Sequence, residues 1–175
     1  NVNSVSVVIW TTTPWTLPSN LALAVGADIS YSILEYDNQF FILGTETLEN
    51  YSPQFPKAKV YGTIQGREML GRKYTPLFDY FADHDPNAFQ IIEGDFIDTE
   101  EGTGVVHIAP GFGEDDQRIA TSNQIGILVP VDDEGCFTSD IKDWEGQNVF
   151  DANPDIIRSL RDSGQLIRHD SYEHN

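Results

Sequence analysis

The sequence predicts a β-rich domain of the barrel or sandwich type, with a few α-helices packed at its periphery. Of its 175 residues, 39% are hydrophobic and 11% aromatic, which is enough apolar material for a folded core. Short runs of β-branched residues recur along the chain and are separated by glycine, proline and asparagine. The chain shows no internal repeat or heptad pattern. One domain, residues 1–175, is expected at this length.

Strands are predicted wherever such a run lies between two turn signals. The first run ends in a threonine–proline segment, where regular strand pairing should stop. The dipeptide Asp37-Asn38 is a two-residue hairpin connection between the second and third runs. The stretch 66–81 contains glycine and proline and is predicted to be irregular. The predicted strands cover residues 5–10, 31–36, 39–43, 57–65, 89–93, 95–98 and 104–109.

Helices are predicted in three places. A short helical turn is expected at residues 46–51. Residues 114–124 carry acidic side chains in their first turn, where the positive end of the helix dipole favours carboxylates. In the last helix, Asn153 is expected to cap the N-terminus, Pro154 suits the first turn, and Gly164 ends the helix.

The composition excludes several classes of protein. The chain has 10 Lys and Arg against 28 Asp and Glu, a formal net charge of −18, which excludes an autonomous nucleic-acid binder of the usual basic kind. The single Cys136 cannot form an internal disulfide, so a reducing, cytoplasmic setting is expected. No apolar run approaches the ~20 residues that cross a bilayer. Because the chain opens at Asn1 and enters a strand at once, we expect a piece of a longer protein.

Polar side chains are concentrated in the segment WTTTPWTLPSN, residues 10–20. Its three successive threonine hydroxyls either line a pocket or lie on the solvent face of a strand. Threonine is a nucleophile only when a base activates it, and no base lies nearby in the sequence. Asn20 either orients a ligand or satisfies a turn.

A second polar segment, GTGVVHIAPGFGEDD, spans residues 102–116. His107 lies near the end of a predicted strand, where it is either a packed core histidine or a functional residue. The glycine spacing does not match a dinucleotide-binding fingerprint. Asp115 and Asp116 either anchor a cationic group such as an α-ammonium or interact with the helix N-terminus. The four histidines lack zinc-ligand spacing, so no metal site is expected.

Together these two segments resemble the threonine-rich motif and the second editing motif of the editing (CP1) domain of isoleucyl-tRNA synthetase, in the class I aminoacyl-tRNA synthetase family. The strings PWTL at 14–17 and APGF at 109–112 favour the isoleucyl branch over the leucyl and valyl branches. The strings YTPLFDYF at 74–81 and VPVDDEGCFT at 129–138 extend the resemblance. HDSYEHN at 169–175 resembles the boundary segment that returns to the catalytic core.

The resemblance implies the editing-domain fold of the valyl, isoleucyl and leucyl enzymes, a β-barrel core with helices outside it. It implies hydrolysis of mischarged valyl-tRNA(Ile) after transfer, with pre-transfer editing as a further activity. The alternative is a non-catalytic insertion that binds the tRNA acceptor end. This segment should not aminoacylate, because the ATP and Mg²⁺ chemistry belongs to the absent synthetic domain. No cofactor is expected for editing.

The resemblance also implies roles for individual residues. Asp116 would bind the ammonium of the aminoacyl group, although a slip of one residue would give that role to Asp115. His107 would form a wall that accepts valine and clashes with isoleucine. The residues implied as catalytic are Thr11, Thr12, Thr13, His107 and Asp116. Those implied in substrate binding are Trp10, Trp15 and Asn20, again with His107 and Asp116; each tryptophan is either a pocket wall or core.

The implied partners are the aminoacylated 3′ end of tRNA(Ile), its valine moiety and the rest of the synthetase in cis, with no membrane. The isolated domain is expected to be monomeric and to bind tRNA weakly. A tethered domain receives its substrate at high effective concentration, so it needs to grip only the terminus. Five of the ten basic residues lie between Lys57 and Lys73, and this basic island is where phosphate contacts are expected.

Overall fold

The computed structural model describes residues 5–100 and 102–169. Of the boundary segment 169–175, only His169 falls within the described residues, so its return to a catalytic core stays a prediction. No helix in the described part is both long and apolar enough to cross a membrane. The strands are β1 (Val5–Val7), β2 (Ala22–Val25), β3 (Ser30–Tyr36), β4 (Gln39–Gly44), β5 (Lys59–Gln65), β6 (Gln90–Glu93) and β7 (Val105–Ile108). The α-helices are α1 (Leu48–Tyr51), α2 (Glu114–Ser122) and α3 (Val149–Asp162).

The strands form two sheets. The first has the order β1-β4-β3-β5, with β3 antiparallel to both of its neighbours and β1 parallel to β4. In the second, β2 lies between β6, to which it is parallel, and β7, to which it is antiparallel. Beyond the end of β1, an isolated bridge joins Trp10 to Val106 of β7.

The structure corrects the prediction of a β-barrel core: neither sheet closes on itself within residues 5–100 and 102–169. The two sheets are joined mainly by packing. Leu23 and Val25 of β2 share one buried cluster with Tyr31 of β3 and Ile42 of β4. The strands are three to seven residues long, which gives two short sheets a common core without a continuous ladder of hydrogen bonds around them.

Local turn chemistry correctly predicts the β3–β4 hairpin. Asp37 and Asn38 have φ values of 52° and 61°, the left-handed conformations that a tight two-residue hairpin turn requires. The alternation rule misses β2, because all four of its residues are buried and the strand shows no polar face. The strand expected at 95–98 is wrong: the Asp98 carboxylate accepts the Glu100 N–H at 2.7 Å, which is the contact of a turn.

The last helix begins about one turn earlier than the sequence predicts. Its N-cap is Asn148, whose side chain accepts the Phe150 N–H at 3.0 Å, and the cap expected at Asn153 is wrong. Asn153 lies inside the helix and accepts the backbone N–H of Trp15 at 2.9 Å. The C-terminal prediction is confirmed, since Gly164 follows the helix with a φ of 76°.

Two helices hold the polar segments in place. Ile119 and Ala120 of α2 pack into the core cluster that contains Ala22 and Ala24 of β2. Ile156 and Leu160 of α3 pack against Leu17, in the 3-10 turn Pro14–Ser19. Fully burying one such aliphatic side chain contributes about 1.5–3 kcal/mol. The segment between β1 and β2 is therefore fixed on one side by α3.

Candidate active site

A cavity of about 190 Å³ opens between the segment after β1, the end of β7 and the start of α2. Six of the residues singled out from the sequence line it: Trp10, Thr11, Thr12, Thr13, His107 and Asp116. Four further lining residues were not assigned a role in the site by the sequence motifs: Thr16, Val106, Ala109 and Phe112. All four lie inside the two motifs, so their position in a motif was the one feature of the sequence that could have pointed to them.

The threonine segment is irregular in structure. The chain leaves β1 at Val7, and a 3-10 turn with Pro14 at its first position begins directly after Thr13. The Thr13 N–H donates to the Thr11 hydroxyl oxygen at 3.1 Å, and the Thr16 N–H donates to the Thr13 carbonyl at 3.0 Å. These bonds fold the segment over the cavity. The three threonines thus line a pocket and lie outside any strand, and Thr12 and Thr13 are also exposed to solvent.

His107 is buried, with 7% of its surface exposed, and both ring nitrogens have partners. Nε2 lies 2.9 Å from the Thr16 hydroxyl, and Nδ1 lies 2.8 Å from the Asn20 amide nitrogen. The Asn20 amide also donates to the Ala22 carbonyl at 2.9 Å, and its oxygen accepts the Tyr74 hydroxyl. Asn20 therefore lies behind the imidazole and supports it, while the imidazole itself lines the cavity.

The electrostatics of His107 follow from this burial. Loss of solvent lowers the pKa of the imidazole from its ordinary 6.5 to about 4, so the ring is neutral at physiological pH. The Asn20 amide donates to Nδ1, which places the ring proton on Nε2, facing the Thr16 oxygen. A neutral imidazole whose two nitrogens both have hydrogen-bond partners is held in one position. It can form a wall of the cavity, and it is a poor general base.

Asp116 is the carboxylate at the cavity. It is the third residue of α2, is half-buried, and accepts the Ala109 N–H at 2.9 Å. Burial raises its pKa above the ordinary value, the Ala109 N–H opposes that shift, and the neighbouring Asp115 adds to it. Asp115 is exposed, does not line the cavity, and lies 3.5 Å from the Arg118 guanidinium. The geometry therefore favours Asp116 over Asp115 as the group that meets a ligand.

The two tryptophans occupy different positions. Trp10 lines the cavity, and its indole packs on Gly102 so closely that an added Cβ there would lie 1.8 Å from Nε1. Trp15 does not line the cavity, but its ring meets the edge of Phe112 with 4.9 Å between centroids. Trp15 thus supports a lining residue and does not itself form the wall.

The basic island is largely engaged with the protein itself. Arg67 forms an ion pair with Asp28, and Arg72 donates to a backbone carbonyl. The Lys73 ammonium donates to two backbone carbonyls, at 2.7 and 3.0 Å. Three of its five cations are therefore held by local contacts, which weakens the expectation of phosphate binding there. Over the described stretches, no cluster of three or more His, Cys, Asp or Glu side chains is placed to hold a metal ion.

Solved structures match this fold. The CP1 domain GlLeuRS-CP1 aligns with a TM-score of 0.73 at 15% identity, over 97% of this chain and 85% of that one. The editing domain of the P. knowlesi cytosolic leucyl-tRNA synthetase aligns with a TM-score of 0.70 at 12% identity, over 91% of this chain and 82% of that one. The fold is that of the synthetase editing domains.

Sequence comparison shows which synthetases the chain is similar to. The isoleucine–tRNA ligase of Rickettsia akari is 46% identical over 97% of this chain, and that of Mycobacterium tuberculosis is 47% identical over 95%. The chain spans 15% and 17% of the length of these two relatives. No protein-family model matches it. The chain therefore matches one segment of the isoleucine–tRNA ligases in sequence, and in fold it matches the editing (CP1) domains of leucyl-tRNA synthetases.

Proposed function

We propose that this domain hydrolyses the ester of valyl-tRNA(Ile) and so removes valine from mischarged tRNA. The observation that carries the proposal is the pairing, in one small cavity, of a carboxylate with a neutral, fixed imidazole wall. Asp116 supplies the charge that binds an α-ammonium, and His107 limits the length of the side chain beside it. An amino acid attached to the tRNA end would thus be held by its charge and selected by its size.

The need for such a site follows from the energetics of selection. One methylene group is worth only about 1–3 kcal/mol of discrimination, a figure for which isoleucyl-tRNA synthetase is itself the standard example. A first site that accepts isoleucine therefore also admits the smaller valine at an appreciable rate. A second site that excludes isoleucine sterically can hydrolyse the valine product without touching the correct one.

The proposed chemistry uses water as the nucleophile. Water attacks the ester carbonyl carbon, the bond from that carbon to the ribose oxygen breaks, and the proton lost by water ends on the ribose hydroxyl. In this proposal the hydroxyls of Thr11, Thr12 and Thr13 hold the ribose, the ester and the water; the supporting observation is that these three residues line the cavity. His107 takes no part in proton transfer, because its two nitrogens are occupied.

The charge of Asp116 is tested by deacylation of valyl-tRNA(Ile). Asp116→Asn should slow hydrolysis about 10- to 100-fold, since a hydrogen bond to a charged group is worth about 1.5–3 kcal/mol. Asp115→Asn is the matched control, because it removes the same charge one residue away and outside the cavity. Both variants are measured in the isolated chain and in a full-length isoleucine–tRNA ligase that carries this sequence. Equal rates for the two variants would refute the anchoring role.

The wall is tested separately with isoleucyl-tRNA(Ile). His107→Ala should allow hydrolysis of this correct product, which the wild-type domain leaves intact. Continued protection of isoleucyl-tRNA(Ile) by the His107→Ala variant would rule out the steric account. Binding of the tRNA end without hydrolysis in either form of the enzyme would favour the non-catalytic alternative.

A further inference from the structure

Behind the cavity wall, a chain of hydrogen bonds runs from Tyr74 to the backbone of Thr13. The Tyr74 hydroxyl donates to the Asn20 amide oxygen, and the Asn20 amide nitrogen contacts Nδ1 of His107. Nε2 of His107 contacts the Thr16 hydroxyl, which donates to the Thr13 carbonyl at 2.9 Å. Tyr74 lies 54 residues from Asn20 in the sequence. It begins the string YTPLFDYF, which extended the resemblance, but it lies outside the two polar segments and was assigned no role in the site.

The direction of every bond in this chain follows from two backbone carbonyls that can only accept, those of Ala22 and Thr13. The Ala22 carbonyl accepts only a donor, so it holds the nitrogen of the Asn20 amide on its own side. That orientation leaves the amide oxygen for Tyr74 and the second amide hydrogen for Nδ1 of His107. The imidazole proton must then lie on Nε2 and point to Thr16. Each donor meets an acceptor, and the ring has one tautomer and one orientation.

The hydroxyl of Tyr74 is well placed to hold this arrangement. The Tyr74 backbone N–H donates to the Phe89 carbonyl at 3.0 Å, and the two rings meet edge to face. The ring is half-buried and packs against two of the core clusters. Burial also raises the pKa of the phenol well above its ordinary value, so the hydroxyl keeps its proton.

We propose that Tyr74 is a positioning residue for the specificity wall: its hydroxyl fixes the Asn20 amide, which fixes the tautomer and the orientation of His107. Without that hydroxyl the buried amide oxygen of Asn20 has lost its donor, and the bond to the Ala22 carbonyl is left as the restraint on the amide, which is therefore freer to rotate than in the wild type. A rotated amide presents its oxygen to Nδ1 and moves the ring proton there, which leaves Nε2 as an acceptor toward Thr16. The wall then samples more than one position. The consequence for selection of the amino acid rests on the proposed editing function. The effect of Tyr74 on the tautomer of His107 does not depend on that function.

The test compares Tyr74→Phe with Tyr31→Phe. Both changes delete only a hydroxyl, and Tyr31 bonds with the backbone of Gly26 and Gly104, away from the cavity. Proton–nitrogen NMR of the histidine side chains in the full chain reports the tautomer of His107. The wild type and Tyr31→Phe should show a single form protonated at Nε2, and Tyr74→Phe should show a second form or exchange broadening.

Deacylation gives the second readout. In Tyr74→Phe, the rate for isoleucyl-tRNA(Ile) relative to valyl-tRNA(Ile) should rise by up to about tenfold, with KM for the valyl substrate unchanged. Tyr31→Phe should keep the wild-type ratio. A single Nε2 tautomer in Tyr74→Phe, equal to that of the wild type, would overturn the inference. Absence of valyl-tRNA(Ile) hydrolysis in the wild type would instead refute the proposed function, and the NMR result would still decide the positioning role.

Discussion

Acid should destabilise this domain through one buried histidine. The pKa of His107 is about 4 in the folded protein and about 6.5 in an unfolded chain. Between these values the unfolded state binds a proton that the folded state does not bind. Lowering the pH therefore favours unfolding. Titration of His107 leaves stability unchanged above about pH 7, and it lowers stability progressively as the pH falls from about 6.5 toward 4.

The size of the effect follows from the same two pKa values. At pH 7.5 the imidazole is neutral in both states, and it contributes almost nothing to a difference between them. At pH 5.0 it is mostly protonated in the unfolded state and mostly neutral in the folded one. The free energy of unfolding should therefore fall by about 2 kcal/mol between these pH values on account of His107 alone.

Urea denaturation at pH 7.5 and pH 5.0 measures this change against a His107→Gln variant. Glutamine keeps a polar side chain at the site and cannot take up the proton. With a typical urea dependence, the wild-type midpoint should drop by about 1 M more than the midpoint of the variant. Other titrating groups are common to both proteins. Among them is Asp116, whose raised pKa makes acid favour the folded state, the opposite sign.

The comparison depends on the difference between the two pH responses. If the wild type and His107→Gln lost the same stability between pH 7.5 and 5.0, the folded pKa of His107 would not be depressed. The imidazole would then be open to solvent or paired with a charge, and the neutral wall would be refuted. A direct NMR titration of the ring should agree, with no protonation above about pH 5.

Three further changes test other parts of the structure. Gly102→Ala should cost about 2–5 kcal/mol of unfolding free energy, because its φ is 74° and the Trp10 indole occupies the place of the new Cβ. Gly71→Ala is the control: its φ is 83° but the space around it is open, so the change should cost about 1–2 kcal/mol. Asn148→Ala should cost about 1 kcal/mol by thermal unfolding, as expected for loss of an N-cap, and should leave deacylation unchanged. Asn153→Ala should cost about 1–3 kcal/mol and also slow deacylation, because it leaves the N–H of Trp15 unpaired beside the threonine segment. Equal effects of the two asparagine changes on deacylation would contradict the assignment of the cap.

Local features of the fold were accessible to sequence reasoning. The hairpin turn at Asp37 and Asn38 depends on two residues that tolerate positive φ, and the end of α3 depends on Gly164. The start of α3 was not accessible in the same way, since two asparagines compete for the cap. Asn153 has the better local signal because Pro154 follows it, but the structure uses its side chain to bind the Trp15 N–H. A tertiary contact overrode the local preference.

In the candidate site, too, some features follow from the local sequence and others only from tertiary structure. The two motifs contain every residue that lines the cavity, because each motif is a short segment next to a strand end and its members stay together when the chain folds. The choice between Asp115 and Asp116 needed the helix, whose geometry directs adjacent residues to different sides.

The sequence by itself determined that the chain is β-rich and which two segments carry its polar groups, because these depend on composition and on residues close together in the chain. The editing role came from the resemblance of those two segments to the motifs of a known family. Tertiary structure alone decided that the strands form two open sheets, that Asn20 supports His107 from behind, and that the Tyr74 hydroxyl bonds with the Asn20 amide. Hydrogen bonds between distant residues leave no periodic trace in a sequence. Their partners are selected only when packing brings the segments together and burial makes an unpaired polar group costly.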